Sequence, residues 1–261
     1  MKLFVINLDR APERLADTAK LFADAGLAFE RVTAVDARAM SDAERRRTAP
    51  PVRFYLANAR RVRPGEIACT LSHRKAWDAA FAGGAPVAAV FEDDVFFEPE
   101  GLRALLADAE RTDDPAVPTV WLLHRGMPRP AREPEGTWYD LLATCDVGRS
   151  WCAHAYALNA AAGRRLAELL TPMAVPCDAW STFARCGVRV LVASRPCART
   201  RGDDSTIPRP QNGLWRFRLV QKAYWLRYRL ACRLDLLLRR ISGRGSSTLR
   251  ATPGATCSPP P

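Results

Sequence analysis

The chain reads as an α/β protein, a mostly parallel sheet flanked by helices, and three observations lead there. Residues 3–36 run strand, helix, strand, the unit that lays parallel strands side by side. The apolar run Val87–Phe91 follows Gly83, Gly84 and Pro86 and stops at Glu92, Asp93 and Asp94. A short continuous apolar run of that kind suits a strand buried on both faces. Between residues 99 and 193, helical periodicities again alternate with short apolar runs.

Taken in order, Leu3–Leu8 are nearly all apolar and fit a central strand, with Asn7, Asp9 and Arg10 at its C-terminal edge and loop. Pro12 suits the first turn of a helix. Leu15, Ala19, Phe22 and Ala23 recur at helical spacing, and Gly26 ends the run as a C-terminal cap. Phe29–Val35 predict a second strand that ends at Asp36. No GxGxxG or GxxxxGK loop follows either strand, which argues against a Rossmann dehydrogenase or a P-loop enzyme. Residues 37–63 are charged and lack strand alternation, so they read as an excursion from the sheet.

Pro64, Gly65 and Glu66 open a helix with Ile67, Leu71, Ala76, Ala80 and Phe81 on its apolar side. Ser72 and His73 are adjacent on it and point in different directions, a poor nucleophile pair. Ser72 suits a cap or a substrate hydrogen bond, and His73 suits a structural role as well as a ligand contact. A helix over Pro99–Arg111 and a strand over Thr119–His124 follow, then a Pro-rich loop over 125–136. Short strands over Trp138–Thr144 and His154–Leu158 precede a helix capped by Asn159. Asp178 heads a short helix ending near Gly187, and Val188–Ala193 form a last strand.

The acidic triplet carries the chemistry. Three adjacent carboxylates repel one another, so a hard cation or a strongly hydrogen-bonded ligand would compensate them. The C-terminal edge of such a sheet is where ligands bind. The plainer reading is an acidic turn leading to the helix at 100–110. Asp178 likewise reads either as a residue favoured by a helix dipole or as a general base.

Composition sets the outer bounds. A 261-residue chain with 48% hydrophobic residues is globular and long enough for one or two domains. The N-terminal apolar run is too short for a signal peptide and no stretch reaches membrane-spanning length, so a cytoplasmic location is expected. The eight cysteines show no CxxC pair and no zinc-type spacing, and read as reduced, buried thiols. The net charge of +11 concentrates over Leu214–Ile241, where Arg218, Lys222, Arg229, Arg233 and Arg240 form one helical stripe opposite Phe217, Val220, Tyr224 and Leu238. That pattern fits a helix lying on an anionic membrane surface; a core-packed helix and a nucleic-acid-binding helix are the alternatives. The expected layout is a catalytic domain over 1–212, the basic amphipathic helix over 213–242 and a disordered tail over 243–261.

Four blocks together resemble glycosyltransferase family 25, the lipopolysaccharide-type β-galactosyltransferases related to the collagen galactosyltransferases. They are FVINLDRAPER at 4–14 with the Thr-Ala-Val-Asp ending at Asp36, GEIACTLSH at 65–73, VFEDDV at 90–95, and VPCD at 175–178 with DDST at 203–206. The resemblance implies a GT-A-like fold and an inverting transfer of a hexose, galactose first, from a UDP-sugar to a lipopolysaccharide or lipooligosaccharide acceptor. It implies Mn²⁺ or another divalent metal on Asp94 and Asp93, supported by Glu92, with Asp178 as base. Glu66, Ser72 and His73 would line the donor or acceptor pocket, and Asn7, Asp9 and Arg10 the nucleotide side. Two departures stand out: Ala68 replaces the usual glycine of GEIGC, and no histidine follows His154 to serve as a late metal ligand, a place that Asp203, Asp204 or water would fill. The expected partners are the UDP-sugar, the glycolipid acceptor and an anionic membrane on the cytoplasmic face, with no nucleic acid. Two other readings remain, a non-enzymatic basic protein that binds membrane or nucleic acid, and a degenerate transferase that keeps the fold without turnover.

Overall fold

A computed structural model describes residues 1–58, 60–124, 139–141, 152–193 and 195–200. The basic segment at 213–242, the tail beyond it, Asp203 and Asp204 lie outside the described residues.

Among the described residues, a seven-stranded mixed sheet forms the centre, in the order β2-β1-β3-β7-β5-β8-β6. Its strands are β1 (Lys2–Asn7), β2 (Glu30–Thr33), β3 (Val87–Glu92), β5 (Thr119–Leu122), β6 (Tyr139–Leu141), β7 (Ala155–Asn159) and β8 (Arg189–Ala193). Strand β1 pairs in parallel with β2 and β3, and β5 with β8, while β7 lies antiparallel to both β3 and β5. Strand β6 closes the far edge antiparallel to β8. The α/β class is therefore as expected, with β7 and β6 reversed in an otherwise parallel sheet.

Helices cover both faces, and the period-2 alternation of the strands sorts their side chains between them. Phe4, Ile6, Ala88, Val90, Tyr156 and Leu158 enter one core with Ala76 and Trp77 of α4 (Pro64–Ala82) and Leu166 of α6 (Ala160–Leu169). Leu3, Val5, Val87, Ala89, Phe91 and Trp121 enter the other, with Phe22 of α1 (Pro12–Asp24) and Leu102 and Leu105 of α5 (Pro99–Arg111). Both faces of β1, β3, β5 and β7 are thus buried, which is why their sequences read as continuous apolar runs.

The excursion from the sheet after Asp36 contains two short helices, α2 (Asp42–Thr48) and α3 (Pro51–Asn58). Helix α2 buries nothing and is held by a reciprocal cap, with Ser41 accepting from the Glu44 amide and Glu44 from the Ser41 amide. A helix of that kind has no apolar stripe to reveal it. Past Asp94 the chain forms β4 (Val95–Phe97), which pairs antiparallel with β9 (Ala198–Thr200). The α7 helix (Trp180–Arg185) begins two residues after Asp178.

Candidate active site

Parallel pairing brings the ends of β1, β2 and β3 to one edge, so Asn7, the segment after Thr33, and Glu92 arrive together. Because β7 runs the other way, its start delivers His154 to the same edge, and the His154 carbonyl accepts the Glu92 amide at 3.0 Å. His124 follows β5 there and stacks on His154 with ring centroids 4.3 Å apart. A cavity of about 630 Å³ opens at this edge. Its lining includes Arg10, Arg14, Asp36, Arg38, Cys69, Ser72, His73, Glu92, Asp93 and Asp94.

The acidic residues are not part of a helix start. Asp93 and Asp94 form the turn between β3 and β4, and α5 has its own cap, Glu98, whose carboxylate accepts from the Glu100 and Gly101 amides. The turn is fixed from below, since Thr18 of α1 donates to the Asp93 carbonyl at 2.8 Å and Asn7 donates to the Asp93 carboxylate at 2.7 Å. Asn7 also donates to the Ala11 carbonyl, and its own carbonyl accepts from Arg31 at 3.1 Å. Arg14 of α1 pairs with Asp93 and lies 3.5 Å from Asp94.

The three carboxylates have different electrostatic surroundings. Burial would raise Glu92, but the hydrogen bond and charge of His73 outweigh it and hold Glu92 below its usual range. Burial also opposes a charged His73, yet Cys69 and Glu92 beside it carry it up to about 10. His73 Nε2 lies 3.3 Å from Glu92 Oε1, while Nδ1 meets the Tyr156 hydroxyl at 2.8 Å. Trp77 Nε1 donates to that same hydroxyl at 2.7 Å. Asp93 is raised by burial against the pull of Asn7 and Arg14. Asp94 is pushed up to about 6 by burial and by the charges of Glu92 and Asp93, with Arg14 only partly offsetting them.

Asp94 Oδ1 is buried without a hydrogen-bond partner among the described residues. A buried carboxylate oxygen in that state is costly unless a ligand or ion meets it. The donor set is all oxygen, the preference of a hard divalent cation. The residues present therefore fit the metal that the sequence resemblance implies.

The sequence candidates divide. Ser72, His73, Glu92, Asp93, Asp94 and Arg10 line the cavity. Asn7 stands beneath it as the residue that orients Asp93. Ser72 is committed to structure: its hydroxyl donates to the Ala68 carbonyl at 2.7 Å and accepts from the Val35 amide at 2.8 Å, tying the loop after β2 to α4. Asp9 pairs with Arg31, and Glu66 takes both arms of Arg60 and the Arg63 amide, so neither lies on the cavity lining. Asp178 is also off that lining; it accepts the Cys152 amide at 3.0 Å, and burial raises its carboxyl. Its neighbour Cys177 places Sγ 3.6 Å from the Sγ of Cys69, a residue of the cavity lining.

Arg14, Asp36, Arg38, Tyr156 and Trp77 were missed from sequence. Arg14 and Asp36 sit inside the quoted motif blocks, and Trp77 is one helical turn beyond His73. Tyr156 gave no local signal, being 83 positions from the histidine it holds.

The chain is thus an α/β protein with a carboxylate turn at the sheet edge where such folds bind ligands. Residues 1–124 match the model of "Glycosyltransferase family 25 (LPS biosynthesis protein)". These residues are therefore a family 25 glycosyltransferase domain. A "Glycosyltransferase 25 family member" from Aedes aegypti is 32% identical over 171 residues, 64% of this chain and 28% of its own length. One from Anopheles gambiae is 35% identical over 117 residues, 42% of this chain and 19% of its own length. The Homo sapiens "Inactive glycosyltransferase 25 family member 3" is 30% identical over 172 residues, covering 63% of this chain and 28% of that one. The chain thus spans less than a third of the length of these relatives.

Proposed function

We propose that this protein is an inverting glycosyltransferase that moves a hexose, galactose first, from a UDP-sugar to a lipopolysaccharide or lipooligosaccharide acceptor. The observation that carries the reading is the β3 turn: three carboxylates at the cavity, one of them with a buried oxygen that no described residue satisfies. Asp94 and Asp93 would hold Mn²⁺ or a similar divalent cation, which supplies charge neutralisation for a departing nucleoside diphosphate. Arg10 and Arg38 line the same cavity and suit the anionic oxygens of a diphosphate. Glu92, kept anionic by His73, holds the turn's charge in place.

Inversion requires one in-line displacement at the anomeric carbon, in which the acceptor oxygen bonds to carbon as the diphosphate oxygen leaves. Asp178 is the proposed base for the acceptor hydroxyl's proton, and its burial-raised carboxyl favours that uptake. The basic segment at 213–242 would hold the protein against an anionic membrane where a lipid-linked acceptor resides. No helix among the described residues is long and apolar enough to cross a membrane.

A second reading, donor binding without turnover, is favoured by the relatives whose names call them inactive. Calorimetric titration with UDP-galactose, UDP-glucose and UDP-N-acetylglucosamine, with and without Mn²⁺, tests both. Metal-dependent binding followed by transfer of the sugar to an acceptor with release of UDP supports the transferase, and binding without transfer supports the second reading. A folded protein that binds none of the three overturns both.

A further inference from the structure

Cys69, His73 and Cys177 offer ligand atoms that all lie within 4.8 Å of one another. We infer that these three side chains form a binding site for a soft divalent cation, best matched by Zn²⁺, separate from the oxygen site at Asp93 and Asp94. The proposal is independent of the transferase reading.

The geometry suits one ion. Two thiolates at ~2.3 Å from a tetrahedral zinc stand ~3.8 Å apart, and the Cys69 and Cys177 sulfurs are 3.6 Å apart. Cys69 and His73 are one helical turn apart on α4, so both side chains fall on the same face. Cys177 comes from the segment between α6 and α7, 108 positions away, which is why no zinc-type spacing shows in the sequence. Sulfur and imidazole donors together favour zinc over the hard cations that carboxylates prefer.

The surroundings of His73 have the form that metal-bound histidines take. A ligating imidazole donates its other N–H to a fixed acceptor. Here Nδ1 meets Tyr156, whose hydroxyl is itself held by Trp77. Nε2 is then the nitrogen left for the metal, with Glu92 Oε1 3.3 Å from it. Cys69 lines the cavity, so an ion has a route in from solvent. Binding releases the two thiol protons and the Nε2 proton, and no oxidation is involved. The bound ion ties α4 to the segment carrying Asp178, the residue after Cys177, and so fixes that carboxylate relative to the cavity.

The test uses the full chain, reduced and freed of metal by chelator, titrated with Co²⁺ as a spectroscopic probe and then with Zn²⁺. The expected result is a thiolate-to-cobalt charge-transfer band that saturates at one cobalt per chain and is bleached by Zn²⁺ but not by Mn²⁺. Cys69→Ser and Cys177→Ser each weaken cobalt binding at least tenfold, whereas Cys186→Ser and Asp94→Asn leave the band in place. Should either serine variant fail to fold, alkylation of the wild-type protein decides: Zn²⁺ protects the Cys69 and Cys177 peptides and no others. Absence of the band in folded wild-type protein, protection of other thiols, or a Cys69–Cys177 disulfide in never-reduced protein overturns the proposal.

Discussion

Replacing Tyr156 with Phe removes one oxygen from the core and leaves every carbon in place. That oxygen is the partner of both Trp77 Nε1, at 2.7 Å, and His73 Nδ1, at 2.8 Å. Tyr156 and His73 are fully buried and Trp77 nearly so, leaving little room for water to replace the lost acceptor. Each buried donor left unpaired costs about 1–3 kcal/mol, so the two together predict a loss of about 2–6 kcal/mol. A domain of ordinary stability holds only about 5–15 kcal/mol, so the variant should lie near the edge of folding. Urea unfolding followed by tryptophan fluorescence measures the difference, with an unchanged urea dependence confirming that the native state is intact. A loss below about 1 kcal/mol would refute the claim that the hydroxyl is the shared acceptor of the two donors.

Three further outcomes follow from the same edge of the sheet. Asp94→Asn should abolish metal-dependent donor binding in calorimetry. It should also stabilise the metal-free protein at pH 7, because the folded carboxyl sits at about 6, above its ordinary value. The wild type should therefore gain stability as pH falls through 6 and level off below about 4, by at most roughly 3 kcal/mol, a slope the variant lacks. Arg14→Gln, which unpairs the buried Asp93, should cost about 3–5 kcal/mol in urea while tightening Mn²⁺ binding, since one competing positive charge is gone. Asp178→Asn should lower turnover at least ~100-fold in a UDP-release assay and leave the donor dissociation constant within about twofold; a matching loss of donor affinity would remove Asp178 from the role of base.

The strands and the carboxylate turn were legible because local pattern determines them. Val87–Phe91 is apolar throughout since both faces of β3 are covered, and the run stops where the sheet meets the cavity. The α5 boundaries follow from Pro99 and an amphipathic stripe, and the observed helix is Pro99–Arg111 as expected. Direction was not legible: Ala155–Asn159 announces a strand, and only the packing of the whole sheet sets it antiparallel between β3 and β5. The helices in 37–63 were missed because α2 buries no side chain, although the Ser41 and Glu44 capping pair was visible in the sequence. Asp178 was read from its motif position, and sequence carries no distance from which to place it relative to the cavity.

Helix α4 shows why a buried face need not look apolar in sequence. Its buried residues include Thr70, Ser72 and His73 beside Ile67, Ala76 and Trp77, so its hydrophobic pattern is weak although the helix packs on the sheet centre. Burying a polar side chain without a hydrogen-bond partner is costly, and two of these three find partners on other elements. Ser72 finds the loop after β2, and His73 finds Tyr156 and Glu92. The partners come from different elements, so the helix can satisfy them only where β2, β3 and β7 already meet. Shifting α4 by one residue would turn His73 and Ser72 away together and expose Glu92 to its acidic neighbours without compensation. The same contacts that fix the helix register therefore hold the charge pattern of the cavity, and a substitution at Ser72 should disturb the Asp93–Asp94 site without touching it.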